Sequence, residues 1–214
     1  CLENKLSICR RDADPVIARI AELEDRYFDP QSYALHYANL GKGAVGRWFE
    51  QGEDGQFKRP EYFRRKSLVT VDTHDLPPLA SYLAGEHVDL RESLGMLTEP
   101  VEQVRAEAAD ERRRMTDRLR EYGLIGDAPT EQEIIEAMHC YIAETPAEML
   151  AIALVDAVGD RKSQNMPGTD TEYVNWRVPL TDGSGDLVLI EDLAEHPRLL
   201  SLVEKFTRVL QETR

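Results

Sequence analysis

The residues best suited to chemistry lie in Leu68-Val-Thr-Val-Asp-Thr-His-Asp-Leu-Pro-Pro78. His74 and Asp75 pair an imidazole with a carboxylate, which gives a ligand both a hydrogen-bond donor and an acceptor. The element that positions them reads as a buried strand. Leu68, Val69, Thr70 and Val71 are apolar or β-branched, Thr73 continues the bias, and Pro77-Pro78 ends it. The pair therefore stands at the carboxyl end of a strand, where α/β barrels carry their chemistry. The plain alternative is an Asp that caps the next turn with a His packed beneath it.

The surrounding pattern alternates strands and helices. Leu6 to Cys9 fits a short strand, and Asp14-Pro15 starts a helix that runs to about residue 27. A second helix is expected over Gln31 to Leu40, and after Gly41-Lys-Gly43 the run Ala44 to Phe49 reads as a strand. Thr98-Glu-Pro100 opens a long helix with an apolar stripe at Val101, Val104, Ala108, Met115, Leu119 and Tyr122, ending near Gly123. Its Glu111 to Arg114 side reads as a solvated face. Thr130 and Glu133 have capping-box spacing, and Ile134, Ile135, Met138 and Ile142 mark the buried side of the next helix. His139, beside Cys140, reads as a packed or partly exposed helix residue rather than a ligand.

Thr145-Pro-Ala-Glu148 repeats the helix-start signal, while Met149 to Val155 is apolar enough for a strand or buried segment that Asp156 to Asp160 ends. The turn Asp182 to Asp186 is expected to join Trp176-Arg-Val-Pro179 to Leu187 through Ile190 as a hairpin. A terminal helix from Pro197 to about Gln211 is expected to bury Leu199, Leu202, Val203, Phe206, Val209 and Leu210.

A net charge of −14, from 40 acidic and 26 basic residues, opposes nucleic acid and anionic membranes as partners and leaves a neutral polysaccharide compatible. No apolar run approaches the roughly 20 residues of a transmembrane helix. Cys1, Cys9 and Cys140 are odd in number and widely spaced, which argues against a disulfide framework or a zinc site and for reduced thiols in a cytoplasmic protein.

Residues 67–91 closely resemble the 4-α-glucanotransferases (amylomaltases, disproportionating enzymes) of glycoside hydrolase family 77, especially their actinobacterial branch. Further blocks recur in order: Trp48-Phe49-Glu50, Gly55 to Lys58, Pro129 to Glu133, Gln164-Asn-Met-Pro-Gly-Thr169 and Tyr173-Val-Asn-Trp-Arg177. The resemblance implies an α/β fold, the carboxyl-terminal part of a (β/α)8 TIM-type barrel with helical insertions. It divides the single partial catalytic domain 1–214 into a divergent strand-loop-helix segment (1–43), a barrel portion (44–195) and a terminal helix (196–214). At 214 residues, starting at Cys1 rather than Met, the chain is shorter than the roughly 250 residues of a whole barrel, as expected of a fragment or processed chain.

The implied reaction moves α-1,4-glucan segments between maltooligosaccharides through a covalent glycosyl intermediate, with no metal or organic cofactor. Such enzymes need a nucleophilic carboxylate and an acid/base carboxyl about 5 Å apart. The family resembled here adds a third carboxylate that grips sugar hydroxyls. Asp75 matches that third carboxylate and His74 its neighbouring hydroxyl donor. Asn165 and Gly168 fall in a loop beside the donor sugar, for which a Pro-Gly turn of purely geometric purpose is the alternative. Trp176 offers a plane on which glucose can stack, although a core position is the preferred reading. Asn175 and Arg177 read as supports of that loop.

The family's Arg-x-Asp-His nucleophile segment and Gly-Glu-Asp-Leu-Gly acid/base segment do not occur in this sequence. The nearest match, Ile8 to Asp14, places Arg10 where the acid/base carboxyl belongs, and a guanidinium cannot shuttle that proton. The implied partners are therefore a maltooligosaccharide and an amino-terminal half of the barrel that would cover the exposed strand edges. A noncatalytic glucan-binding or degenerate remnant is the alternative.

Overall fold

The computed structural model describes residues 45–47, 51 and 56–213. The expected elements at Leu6 to Cys9, Asp14 to Tyr27 and Gln31 to Leu40 lie outside the described residues, as do Arg10, Cys1 and Cys9.

The fold is α/β. Among the described residues three short parallel strands, β1 (Val45–Arg47), β2 (Leu68–Thr70) and β3 (Met149–Ala151), lie side by side in sequence order with β2 in the middle. Leu68 pairs with Val45 on one side and Met149 on the other, and Thr70 pairs with Arg47 and Ala151. Parallel neighbours need long crossovers. The crossover from β2 to β3 holds α1 (Leu79–Ala84), α2 (Glu86–Ser93), α3 (Val101–Glu121) and α4 (Glu131–Ala143). After β3 come the short α5 (Leu154–Val158) and the terminal α6 (Pro197–Thr213).

Local sequence explains the boundaries. Pro77-Pro78 cannot extend the strand ladder, and α1 starts immediately behind them. Gly85, at φ 82°, ends α1 and begins α2 in a left-handed conformation that suits glycine. The Thr130 hydroxyl accepts from Glu133 N at 3.2 Å while Glu133 Oε2 accepts from Thr130 N at 2.7 Å, so the capping box forms.

The core gathers Val69 and Val71 from the β2 region, Leu79 and Leu83 from α1, Met115 and Leu119 from α3, and Met138, Tyr141 and Ile142 from α4. Helix α4 is its centre. Every residue from Ile135 to Ala143 is buried, so the expected one-sided stripe was too narrow. His139 within it is fully buried, and its ring Nδ1 donates to Ile135 O at 2.8 Å. Among the described residues no helix is long and apolar enough to cross a membrane.

Four expectations change. Glu111 to Arg114 is not wholly solvated, because Tyr82 OH donates to Glu111, Arg112 donates to Leu83 O, and the Arg114 guanidinium lies 5.5 Å from the Phe57 ring centre. Thr145 does not start a helix. Its hydroxyl donates back to Ile142 O at 2.7 Å, finishing α4, and Glu148 N then bonds Arg65 O at 2.8 Å as the chain enters β3. The hairpin around Asp182 to Asp186 shrinks to one antiparallel pair, Thr181 with Leu187, because Leu187 to Ile190 find no apolar surface to cover. Val203 is exposed on α6, whose Leu202 and Phe206 are buried and whose Val209 and Leu210 pack half-buried against the core.

Candidate functional site

Beyond β2 the backbone turns on itself. Thr70 Oγ1 donates to Asp72 O at 2.9 Å, and Leu76 N bonds Thr73 O at 3.0 Å. This turn lifts His74 and Asp75 to the surface, each with about half its side chain open to solvent, and sets His74 Nε2 3.5 Å from Asp75 Oδ1. The pair is therefore accessible to a ligand, unlike a His packed beneath a capping Asp.

The second part of the site comes from the segment after α5. Asn165 Nδ2 donates to Asp75 Oδ1 at 2.6 Å across 90 residues of sequence. The Asn165 to Thr169 loop is held open by Asn175, whose Oδ1 accepts from Met166 N at 2.7 Å while its Nδ2 donates to Thr169 O and Oγ1 at 3.2 and 2.8 Å. Both ends of that amide are used, which makes Asn175 the loop's brace. Arg177 is exposed, and its backbone N–H bonds Val174 O. Gly168 has φ 89°, a conformation a side chain would strain, and the Met96 methyl lies 3.7 Å from where its Cβ would be.

Trp176 corrects the core reading. It is 63% exposed, its ring centre lies 4.9 Å from that of His74, and its backbone sits at φ 63°. Its N–H bonds Gln164 O at 2.9 Å, a constraint that holds a non-glycine residue in left-handed geometry. His74, Asp75, Asn165 and Trp176 thus form one accessible cluster, with Gly168 in the loop beside it.

Anchors fix this segment. Asp160, fully buried, accepts from Thr181 N and Oγ1 at 3.0 and 2.8 Å. Arg161 pairs with Glu86 at 2.8 Å and with Glu131, tying the loop to α2 and α4. Gly159 packs directly on Arg198, so a Cβ there would come within 2.6 Å of the guanidinium carbon.

Below the surface cluster lie three buried titratable groups. Asp156 Oδ1 accepts from Leu79 N at 2.8 Å and so clamps the start of α1, four residues after Asp75. Its Oδ2 lies 3.9 Å from His139 Nε2, and neither atom has a hydrogen-bond partner among the described residues. Asp72 is 6% exposed, with Oδ1 likewise unpartnered. Burial, and after it the neighbouring Asp156 carboxylate, hold Asp72 well above the usual carboxylate range. Burial also raises Asp156, against the opposing pull of Leu79 N–H and Arg198, and it pushes His139 down to about 4. Sequence reasoning left Asp72 and Asp156 without a role. The available signal was an acid inside the otherwise apolar and β-branched run Leu68 to Thr73.

The comparisons with known proteins agree with one another. A family model described as 4-alpha-glucanotransferase, glycoside hydrolase family 77, matches residues 43–184. The 4-alpha-glucanotransferases of Mycobacterium tuberculosis (strain H37Rv) and Mycobacterium bovis are 48% identical over 180 residues, covering 81% of this chain and 25% of theirs. That of Haemophilus influenzae is 26% identical over 132 residues, 58% of this chain and 19% of its own. The crystal structure of amylomaltase from Corynebacterium glutamicum superposes with a TM-score of 0.69 at 34% identity, covering 84% of this chain and 27% of that one. The chain spans about a quarter of the length of the curated mycobacterial relatives.

Proposed function

This chain belongs to the 4-alpha-glucanotransferase family, glycoside hydrolase family 77, and on that footing we propose that it forms the sugar-gripping, carboxyl-terminal portion of an enzyme that transfers α-1,4-glucan segments between maltooligosaccharides. In this reading residues 44–195 are part of a (β/α)8 barrel with helical insertions, 196–214 are its terminal helix, and 1–43 are a divergent strand-loop-helix segment. The observation that carries the reading is the 2.6 Å bond from Asn165 to Asp75, which brings two separate motifs to one accessible point.

The geometry suggests a division of labour. Asn165 holds Asp75 through Oδ1, which leaves Oδ2 free to accept from sugar hydroxyls, and His74 supplies a neighbouring donor. Hydrogen bonds to the sugar that strengthen as the ring flattens toward an oxocarbenium ion lower the barrier rather than merely tightening the ground state. Trp176 offers an exposed apolar plane beside His74, and Gly168 lies in the loop that carries Asn165. The nucleophile and acid/base carboxyls belong to an amino-terminal half of the barrel, the proposed partner. A noncatalytic glucan-binding role is the second reading, favoured by Arg10 standing where the acid/base carboxyl belongs in the nearest match, Ile8 to Asp14.

The test compares maltotriose disproportionation by the complete barrel carrying this segment with that of its Asp75→Asn variant. The expected result is loss of turnover with little change in melting temperature; unchanged turnover refutes the assignment.

A further inference from the structure

Two hydrogen bonds join the same pair of segments. At the surface Asn165 Nδ2 donates to Asp75 Oδ1 at 2.6 Å, and in the interior Leu79 N donates to Asp156 Oδ1 at 2.8 Å. One segment runs from the Asp75 turn into α1, and the other runs from α5 into the Asn165 loop. Pro77 and Pro78 have no N–H, so Leu79 carries the first backbone donor after Leu76. The buried bond therefore takes hold of the chain just behind the Asp75 turn. Helix α1 has six residues and α5 has five, too few for either to hold its place by its own hydrogen bonds.

We propose that Asp156 is a positioning residue for Asp75: it locks the segment that carries Asn165 against the segment that carries Asp75, so that the bond between their tips forms without a ligand. This role presupposes the reading of Asp75 as a sugar-binding carboxylate. A distant helix cap with no bearing on the site is the alternative, since the first N–H groups of any helix need an outside acceptor.

The state of Asp156 follows from the His139 ring. Nδ1 lies 2.8 Å from Ile135 O, which can only accept, so Nδ1 carries the ring hydrogen and Nε2 keeps a lone pair. That lone pair is 3.9 Å from Asp156 Oδ2, and neither atom has a hydrogen-bond partner among the described residues. Two lone pairs facing each other in a buried site repel, whereas a proton between them is attracted to both. Burial of both groups favours a neutral imidazole and a neutral carboxyl, which places that proton on Asp156 Oδ2. Asp72, the neighbouring carboxyl at the end of β2, disfavours a second buried carboxylate. Arg198 from α6 pulls toward the charged form, but its guanidinium also faces Glu131 at 3.6 Å. Neutral Asp156 thus donates toward α4 through Oδ2 and accepts from α1 through Oδ1, a pattern that an asparagine amide reproduces.

The experiment follows three signals in the full chain by nuclear magnetic resonance, with melting temperature recorded for each variant. They are exchange of the Leu79 amide hydrogen, the Asn165 side-chain amide (identified by its loss in Asn165→Ala) and the affinity for maltotriose. Asp156→Ala is expected to speed Leu79 exchange and to weaken maltotriose by about tenfold each, the scale of one lost hydrogen bond, and to move the Asn165 signal toward that of a free amide. Asp156→Asn restores all three. Phe206→Ala, a core truncation on α6, lowers the melting temperature and leaves the Asn165 signal in place. If Asp156→Ala changes Leu79 exchange alone, Asp156 is a helix cap; the positioning role is overturned and the Asp75 reading stands. An Asn165 signal that moves equally in Phe206→Ala, or an Asp156→Asn variant as impaired as Asp156→Ala, overturns the role as well. A wild-type chain that binds no maltotriose overturns the Asp75 reading, and the Asn165 signal in Asp156→Ala still upholds or overturns the lock. If Asp156→Ala does not fold, Leu79→Pro decides by the Asn165 signal and the affinity, because proline suits a first helical position and removes the donor.

Discussion

Asn165 and Asp75 are joined by a 2.6 Å hydrogen bond although one follows α5 and the other follows β2. Bonding of an amide N–H to one carboxylate oxygen fixes the plane of the carboxylate and so the direction of its second oxygen. An Asp75 held this way keeps its orientation without a ligand, the pre-ordering that the proposed sugar grip requires.

Replacing Asp75 by Asn in the complete enzyme is expected to lower turnover on maltotriose by about 10²- to 10³-fold, the usual effect of losing one preorganised charged contact. The side chain is half exposed, so melting is expected to shift by no more than a few degrees. Parallel disproportionation and thermal-melting measurements check the contrast.

Incubated alone with maltotriose, the chain is expected to release no glucose above background. Asp75 cannot serve as nucleophile and proton shuttle together, and loss of acid/base help alone lowers rates by about 10²- to 10⁴-fold. Disproportionation that is present in the wild-type chain and absent from Asp75→Ala contradicts this.

Trp176→Gly is expected to leave stability unchanged or raise it by about 1 kcal/mol, because glycine relieves left-handed strain at φ 63°. A core tryptophan would instead lose about 3–5 kcal/mol on truncation. Sugar affinity is expected to fall at the same time, so denaturant melts and a maltotriose titration move in different directions.

The acidity of Asp72 predicts a pH effect. Its folded-state value is raised to about 9, so as pH climbs from about 4 the unfolded chain gives up this proton first. Stability contributed by the protonated carboxyl is complete below the unfolded value and declines until the folded value is passed. His139 acts in the other sense, since its value is lowered to about 4 and its contribution is lost as pH falls below about 6.5. Above pH 7 the Asp72 effect stands clear of His139. Asp72→Asn is expected to flatten the decline between pH 7 and 9 and to add about 1–3 kcal/mol at pH 8. Urea melts across that range test it, and an unchanged slope rules it out.

Much of the scaffold was legible because local chemistry decided it. The β2 run ends at Pro77-Pro78, Thr130 and Glu133 close a capping box, and Pro100 and Gly123 bracket α3, all through contacts within a few residues. The family blocks also identified His74, Asp75, Asn165 and Trp176 as belonging together, and they do meet in space. Relationships set by distant packing were not legible. Trp176 looked like core because aromatic rings usually are, whereas the bond from its N–H to Gln164 O turns it outward. The uniform run Met149 to Val155 hid a change from strand to helix at Leu154, and with it the burial of Asp156 against α1. Thr145 carried a helix-start signature that α4 used for its own ending.

The outward indole has an optical consequence. The sequence contains two tryptophans, Trp48 and Trp176, so replacing Trp48 by Phe leaves a single emitter standing in water beside His74. A hexose that settles on that ring displaces solvent from one face and shifts its emission toward the blue. Occupancy of the cluster can then be followed in real time, without a label and without any turnover.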